Sequence, residues 1–311
     1  MCHGPDESPA FYLANQGYDV WLINLRGTVP SMHHERYDWR IDFDYWNYTL
    51  YEYNYDWEAA IRYMVDTTDY SQVAMAAVSH RAANSLMGMS TSPDFYHENI
   101  SVMILLSPQF RYDFSESLSL RMMANGTGPV EFDEASGAVW YWPPKNTIIS
   151  ILSYITQDYL CEQYPVICME MYNAHTNRDI ITDDIESYQT LTGHMAETTT
   201  TRELAHVQQM VRTGVRYFDY GEEENLERYG ASEPPAVPFE NINTPCALFS
   251  SKDDLYQPPL NSHAVLDMLG DNLVFFNVYR YSTYGYYTSQ NVTDWLEDAV
   301  HVLEAYPPNH D

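Results

Sequence analysis

In "VAMAAVSHRAAN" the apolar run Val73 to Val78 ends in a serine, and the residues that follow suit the start of a helix. A serine on a sharp strand-to-helix turn is how many hydrolases lift a nucleophilic hydroxyl clear of the backbone, usually spelled G-x-S-x-G. Here the five residues are Ala77, Val78, Ser79, His80 and Arg81. A hydroxyl is a poor nucleophile at neutral pH unless an imidazole takes its proton and a carboxylate orients that imidazole. His80 is adjacent, but neighbouring residues on such a turn point in different directions.

The elements that would position this serine alternate. "SPAFYLANQGYDVWLINLRG" reads as a helix closed by Gly17, a buried strand Tyr18 to Asn24, and a turn at Arg26-Gly27. Asp56 to Thr67 has helical apolar spacing and leads to the strand Val73 to Val78. "ISVMILLSPQ" is another buried strand. From 110 to 235 strand-like runs give way to helical stretches and loops, including "WYWPPKNTIISILSYI" and "TTTTRELAHVQQMVRTG". Strands return at Cys246 to Ser250, followed by two aspartates, and at "NLVFFNVYRY"; "NVTDWLEDAVHVLEAY" is a last amphipathic helix. Helices alternating with continuous apolar strands indicate an α/β fold with a mostly parallel sheet. The expected organisation is an α/β core in 1–109 and 236–311, with a helical cap inserted as 110–235.

Bulk properties narrow the function classes. The chain has 311 residues, 45% of them apolar, enough for a sizeable core. Acidic residues outnumber basic ones 44 to 15, a formal charge of −29, which repels nucleic acid and anionic membranes. No apolar run reaches the eighteen residues of a transmembrane helix, and "MCHGPDESPA" does not read as a signal peptide. Four sequons, at Asn47, Asn99, Asn125 and Asn291, read as glycosylation acceptors and favour a secreted protein. Cys161 and Cys168 bracket six residues and suit a local disulfide, whereas zinc is disfavoured because no C-x-x-C or matching histidine pair accompanies them. The 28 tyrosines cluster in 37–57 and 278–287 and suit amphipathic packing or a face for an apolar or aromatic ligand.

Several of these stretches together resemble the acid lipases, the gastric and lysosomal lipases with their relatives. "AFYLANQGYDVWLINLRGTVPSMHH" is similar to the family's "AFxLAxxGYDVWLGNxRGNxxSxxH", and "VRYFDYG" to "FxxYDWG". "SSKDDLYQPP" resembles "GGKDLLADP", and His194, His206 and Gln208 match a cap motif. The resemblance implies an α/β-hydrolase sheet with a cap and Ser-Asp-His hydrolysis of neutral lipid esters. Ser79 matches the nucleophile and Asp253 the triad acid. Thr283 falls where the family has its histidine, and "YRYSTYGYY" contains none; the nearest are His263 and His301. Arg81 replaces the second elbow glycine, so the elbow is expected to be damaged.

The resemblance also implies that the family's first three strands are absent, and with them an oxyanion loop that His3-Gly4 stands too close to Ala10 to replace. Strand three would lie between Tyr18–Asn24 and Val73–Val78. Those two then pair directly, or another polypeptide fills the slot. His34, His194 and His206 are expected to be structural hydrogen-bonders between cap and core. The leading expectation is a non-catalytic secreted protein with a structural, assembly or ligand-binding role, needing no cofactor or metal, as a homo-oligomer or with a companion chain supplying strands. The alternative is a serine esterase using Ser79, Asp253 and a displaced histidine such as His263. An acidic cation-binding protein is a third option, although no EF-hand spacing is present.

Overall fold

A computed structural model describes residues 4, 6–126, 140–141, 159, 161–178, 183–195 and 199–310. Cys2, His3, Thr127 of the Asn125 sequon and most of the stretch 140–155 lie outside the described residues, as does the side chain of His194. The core is a four-stranded parallel sheet in the order β1-β2-β5-β6, formed by β1 (Val73–Val78), β2 (Ile100–Leu106), β5 (Cys246–Ser251) and β6 (Leu273–Tyr279). Register runs across it through Ala77, Leu105, Leu248 and Phe276. Every residue of β2 and β5 is buried, whereas the edge strands β1 and β6 are partly exposed. Burial on both faces explains why β2 and β5 read as continuous apolar runs.

Side chains alternate between two layers. One layer joins Met75, Ala77, Met103, Leu105 and Leu248 to α2 (Tyr53–Thr67), α3 (Ser79–Thr91) and α10 (Pro259–Leu269). The other joins Ile104, Leu106, Ala247 and Phe249 to Trp295, Leu296 and Val302 of the last helix, α12 (Thr293–Ala305). Between β2 and β5 lie α5 (Leu118–Ala124), α6 (Pro165–Thr176), α7 (Ile185–Met195), α8 (Thr201–Thr213) and α9 (Glu222–Tyr229). This stretch also contains a short antiparallel pair, β3 (Trp140–Tyr141) and β4 (Thr199–Thr200), which the expectation of a strand-free insertion omitted. The disulfide Cys161–Cys168 closes a local loop there.

The expected strand Tyr18–Asn24 is not one. α1 (Pro9–Asn15) ends before Gly17, whose φ of 95° turns the chain into residues 18–25, but these pair with no strand. Trp21 and Leu22 are 40% and 66% exposed. The sequence carries a strand's residues, but the described chain supplies no ladder partner, and an extended segment without a partner is not a sheet strand.

Candidate functional site

Ser79, Asp254 and Thr283 lie just beyond the carboxyl ends of β1, β5 and β6, the side of a parallel α/β sheet where sites form. Ser79 opens α3 with φ of 56°, a left-handed backbone that a residue with a Cβ rarely adopts. The strained elbow is therefore kept, contrary to the damage expected from Arg81. The Ser79 carbonyl accepts a hydrogen bond from Gln109 N at 3.1 Å, while its hydroxyl makes none among the described residues. Ala77 is buried in the sheet layer with room for its methyl.

Arg81 does not press into neighbouring backbone. Its Nη1 donates to Glu203 Oε1 at 3.0 Å, and its guanidinium lies 3.9 Å from the centroid of the Tyr53 ring. Glu203 projects from α8, is almost wholly buried, and also accepts from Tyr53 Oη at 2.6 Å and from the Thr199 hydroxyl. Burial works against both charges. The Glu203 carboxylate nevertheless raises the Arg81 pKa, and Arg81 with His80 lowers that of Glu203. The elbow helix α3 is thus latched to α8 by an ion pair whose carboxylate is buried and whose Arg81 side chain is 31% exposed. His80 sits beside it, its Nδ1 3.3 Å from Gln109 Oε1 and its Nε2 enclosed without a partner. Burial depresses the His80 pKa.

The carboxylate facing Thr283 is Asp254, not Asp253. Lys252 N and Asp253 N donate to the carbonyls of Tyr279 and Tyr281, extending the β5–β6 contact, and the next residue turns inward. Asp254 is fully buried; its Oδ2 accepts from the Thr283 hydroxyl, and its Oδ1 accepts from Tyr256 N and Gln257 N at 2.8 and 3.0 Å. Burial pushes its pKa up to about 6, against those three hydrogen bonds. Asp253 is half-buried, with Oδ2 unpartnered. A threonine hydroxyl has no basic lone pair near neutral pH, so this pair holds a carboxylate but moves no proton. His263 on α10 and His301 on α12 are exposed and hydrogen-bond to neither aspartate.

These arrangements fit a hydrolase scaffold, and the comparisons agree. No protein-family model matches the chain. Human lipase member K is 22% identical over 99% of this chain and 77% of its own length. Bovine gastric triacylglycerol lipase is 26% identical over 87% of this chain and 67% of its own length. The chain is similar to acid lipases over most of its length. Among solved structures, a lipase-like protein from Sulfolobus solfataricus superposes with a TM-score of 0.61 at 15% identity, covering 97% of this chain and 78% of the other. That likeness shows the α/β-hydrolase fold.

The other residues singled out from the sequence have local roles. His206 is buried, its Nε2 donating to the Arg216 carbonyl at 2.8 Å, and burial lowers its pKa to about 4. His34 is exposed and accepts from Arg36 N and Tyr37 N within its own loop rather than joining cap to core. The Gly4 carbonyl caps the turn before α1. Asn47, Asn125 and Asn291 are exposed, whereas Asn99 is half-buried, with Nδ2 donating to the Phe95 carbonyl at 2.8 Å. Among the described residues no group of three His, Cys, Asp or Glu is placed to hold a metal, and no helix is long and apolar enough to cross a membrane.

Sequence reasoning missed Glu203, Asp254 and Ser107. Glu203 stands three residues after the α8 N-cap Thr200, the spacing of a capping box, which hides its partnership with a residue 122 positions away. Ser107 has φ of 42°, and its hydroxyl donates to Ser251 Oγ at 2.7 Å, tying the ends of β2 and β5. Nothing in its local sequence signals that.

Proposed function

We propose that this chain is a non-catalytic, secreted member of the acid-lipase group that serves as a structural or apolar-ligand-binding protein. The observation that carries the reading is the hydrogen bond from Thr283 to the buried Asp254, where a working triad would set an imidazole. The Arg81–Glu203 latch supports it, because a cap pinned to the elbow suits a fixed scaffold better than a gate for substrate. Three exposed sequon asparagines and the Cys161–Cys168 disulfide support secretion. Clustered tyrosines, with Tyr55, Tyr51, Tyr217 and Tyr229 in successive ring contact and partly exposed, would serve an apolar or aromatic ligand or a copy of the chain.

One observation favours the serine-esterase alternative: the strained Ser79 backbone persists, and such strain is often kept for function. Intact-mass spectrometry of the natively purified protein with a fluorophosphonate probe separates the two. The expected result is no adduct. An adduct at Ser79, together with turnover of a short-chain ester that vanishes in Ser79→Ala, would replace this reading with the esterase one.

A further inference from the structure

Among the sequons, Asn47 stands apart by what its amide touches. Arg202 Nη1 donates to the Asn47 side chain, and because a guanidinium has only donors, the atom it meets is the carbonyl Oδ1. That leaves Nδ2 on an exposed residue and bonded to no described residue. At the other two sequons described in full the amide is engaged. Asn99 Nδ2 donates to the Phe95 carbonyl from a half-buried position, and Asn291 Nδ2 lies 3.3 Å from Asp294 Oδ1.

Beside Asn47 is an open hollow of about 250 Å³ that spans two elements. Phe43, Trp46 and Asn47 line one side, in and just after the 3-10 turn Phe43–Trp46, and Thr200, Thr201 and Arg202 line the other, at the start of α8. The two sides are tied together, with Thr200 Oγ1 donating to the Trp46 carbonyl at 2.6 Å. Arg202 is steadied by the Phe218 and Tyr220 rings, whose centroids lie 5.8 and 5.6 Å from its guanidinium carbon. Phe43 is 71% exposed, an apolar ring at the rim that the fold leaves uncovered. Amide stereochemistry decides where a sugar on Nδ2 would go. A secondary amide is planar and trans, so the sugar's first carbon lies on the Oδ1 side of the Cγ–Nδ2 bond. Oδ1 faces Arg202, so that sugar is delivered into the hollow rather than away from the protein.

We propose that Asn47 carries an N-linked glycan whose first N-acetylglucosamine seats in this hollow and bridges the 3-10 turn to α8. Nδ2 bonds to the anomeric carbon of a lipid-pyrophosphate-linked oligosaccharide; the bond from that carbon to the pyrophosphate oxygen breaks, and the Nδ2 proton goes to solvent. The proposal rests on the secreted reading above, because that donor is met on the secretory route. The apolar face of the sugar ring covers Phe43, while Arg202 and Asp44 offer a donor and an acceptor to its acetamido group.

The natively purified protein is mapped by glycopeptide mass spectrometry, then trimmed with an endoglycosidase to one N-acetylglucosamine per site. The expected map has a glycan at Asn47 and none at Asn99. In urea unfolding the trimmed protein should be more stable than the same chain made without glycans, by about three- to tenfold in the unfolding equilibrium constant. Asn47→Gln should abolish that difference, and Asn291→Gln should leave it. Phe43→Ala keeps the sequon and, at so exposed a position, leaves the glycan-free chain as stable as before, yet it should remove most of the difference. A glycan at Asn291 without one at Asn47 overturns the proposal and leaves the secreted reading standing. No glycan at any sequon overturns both. Equal stability with and without the sugar, or a difference that survives Phe43→Ala, overturns the seat in the hollow.

Discussion

The serine elbow and the buried carboxylate of this site differ in what surrounds them. At the elbow Ser79 is held at φ of 56°, while the side chains around it form the Arg81–Glu203–Tyr53 latch. At Asp254 the carboxylate accepts from two backbone donors, and the side chain facing it is Thr283. The fold dictates the first: a strand that must enter a helix at the sheet edge forces that turn whatever follows the serine. Proton transfer depends on the second, and the non-catalytic reading proposed above rests on Thr283 facing Asp254 there. The elbow's shape and the residue facing the carboxylate therefore point to opposite readings, and only the second bears directly on proton transfer.

The latch offers the largest expected effect. Glu203→Gln leaves Arg81 partly buried without its counter-charge, which costs about 3 kcal/mol. Replacing both partners, as Arg81→Met with Glu203→Leu, should recover only part of that stability, because the charges no longer need pairing but the Tyr53 and Thr199 hydroxyls lose their acceptor. Urea unfolding of the three variants checks this. If Glu203→Gln costs under about 1 kcal/mol, the rewritten elbow carries little of the cap's attachment.

The acid end should respond to pH rather than to simple deletion. The Asp254 pKa is raised to about 6 in the folded chain, so the folded state holds its proton where the unfolded state has lost it. That contribution is fully present below the unfolded value near 4 and is lost as pH rises through about 6. His206, lowered to about 4, works with the opposite sign: its contribution is present above its unfolded value and lost as pH falls toward 4. Asp254→Asn retains the His206 dependence and removes the other. The stability of wild type relative to the variant should therefore fall by roughly 2–3 kcal/mol between pH 4 and 7. A difference that stays flat across that range would mean that Asp254 is not the buried carboxyl it is taken for.

The contrast also marks what the residues alone disclose. β1, β2, β5 and β6 were readable because buried parallel strands are uninterrupted apolar runs, and Thr283 stood out against the family histidine. Residues 18–24 were misread because strand-forming side chains report on burial, whereas a strand also needs a neighbour. The choice between Asp253 and Asp254 turned on one step of alternation at the end of β5, which no composition reveals. Glu203 was invisible because its partner is distant in sequence and its capping position explains it locally.

The smallest effect tests the elbow's backbone itself. A left-handed φ at a residue with a Cβ costs about 1–2 kcal/mol, and glycine pays none of it. Glycine in turn gives up roughly 0.5–1 kcal/mol in chain entropy, so Ser79→Gly should come out stabilising by no more than about 1 kcal/mol. Ser79→Ala keeps the strain and should be close to neutral, since the Ser79 hydroxyl bonds nothing among the described residues. The urea midpoints should therefore rank glycine above alanine and serine, with the last two together. If alanine instead destabilises the chain as much as glycine stabilises it, the hydroxyl has a partner at the elbow. The side chain there would then be part of the scaffold, and the contrast with the Asp254 end would narrow to one between two structural sites.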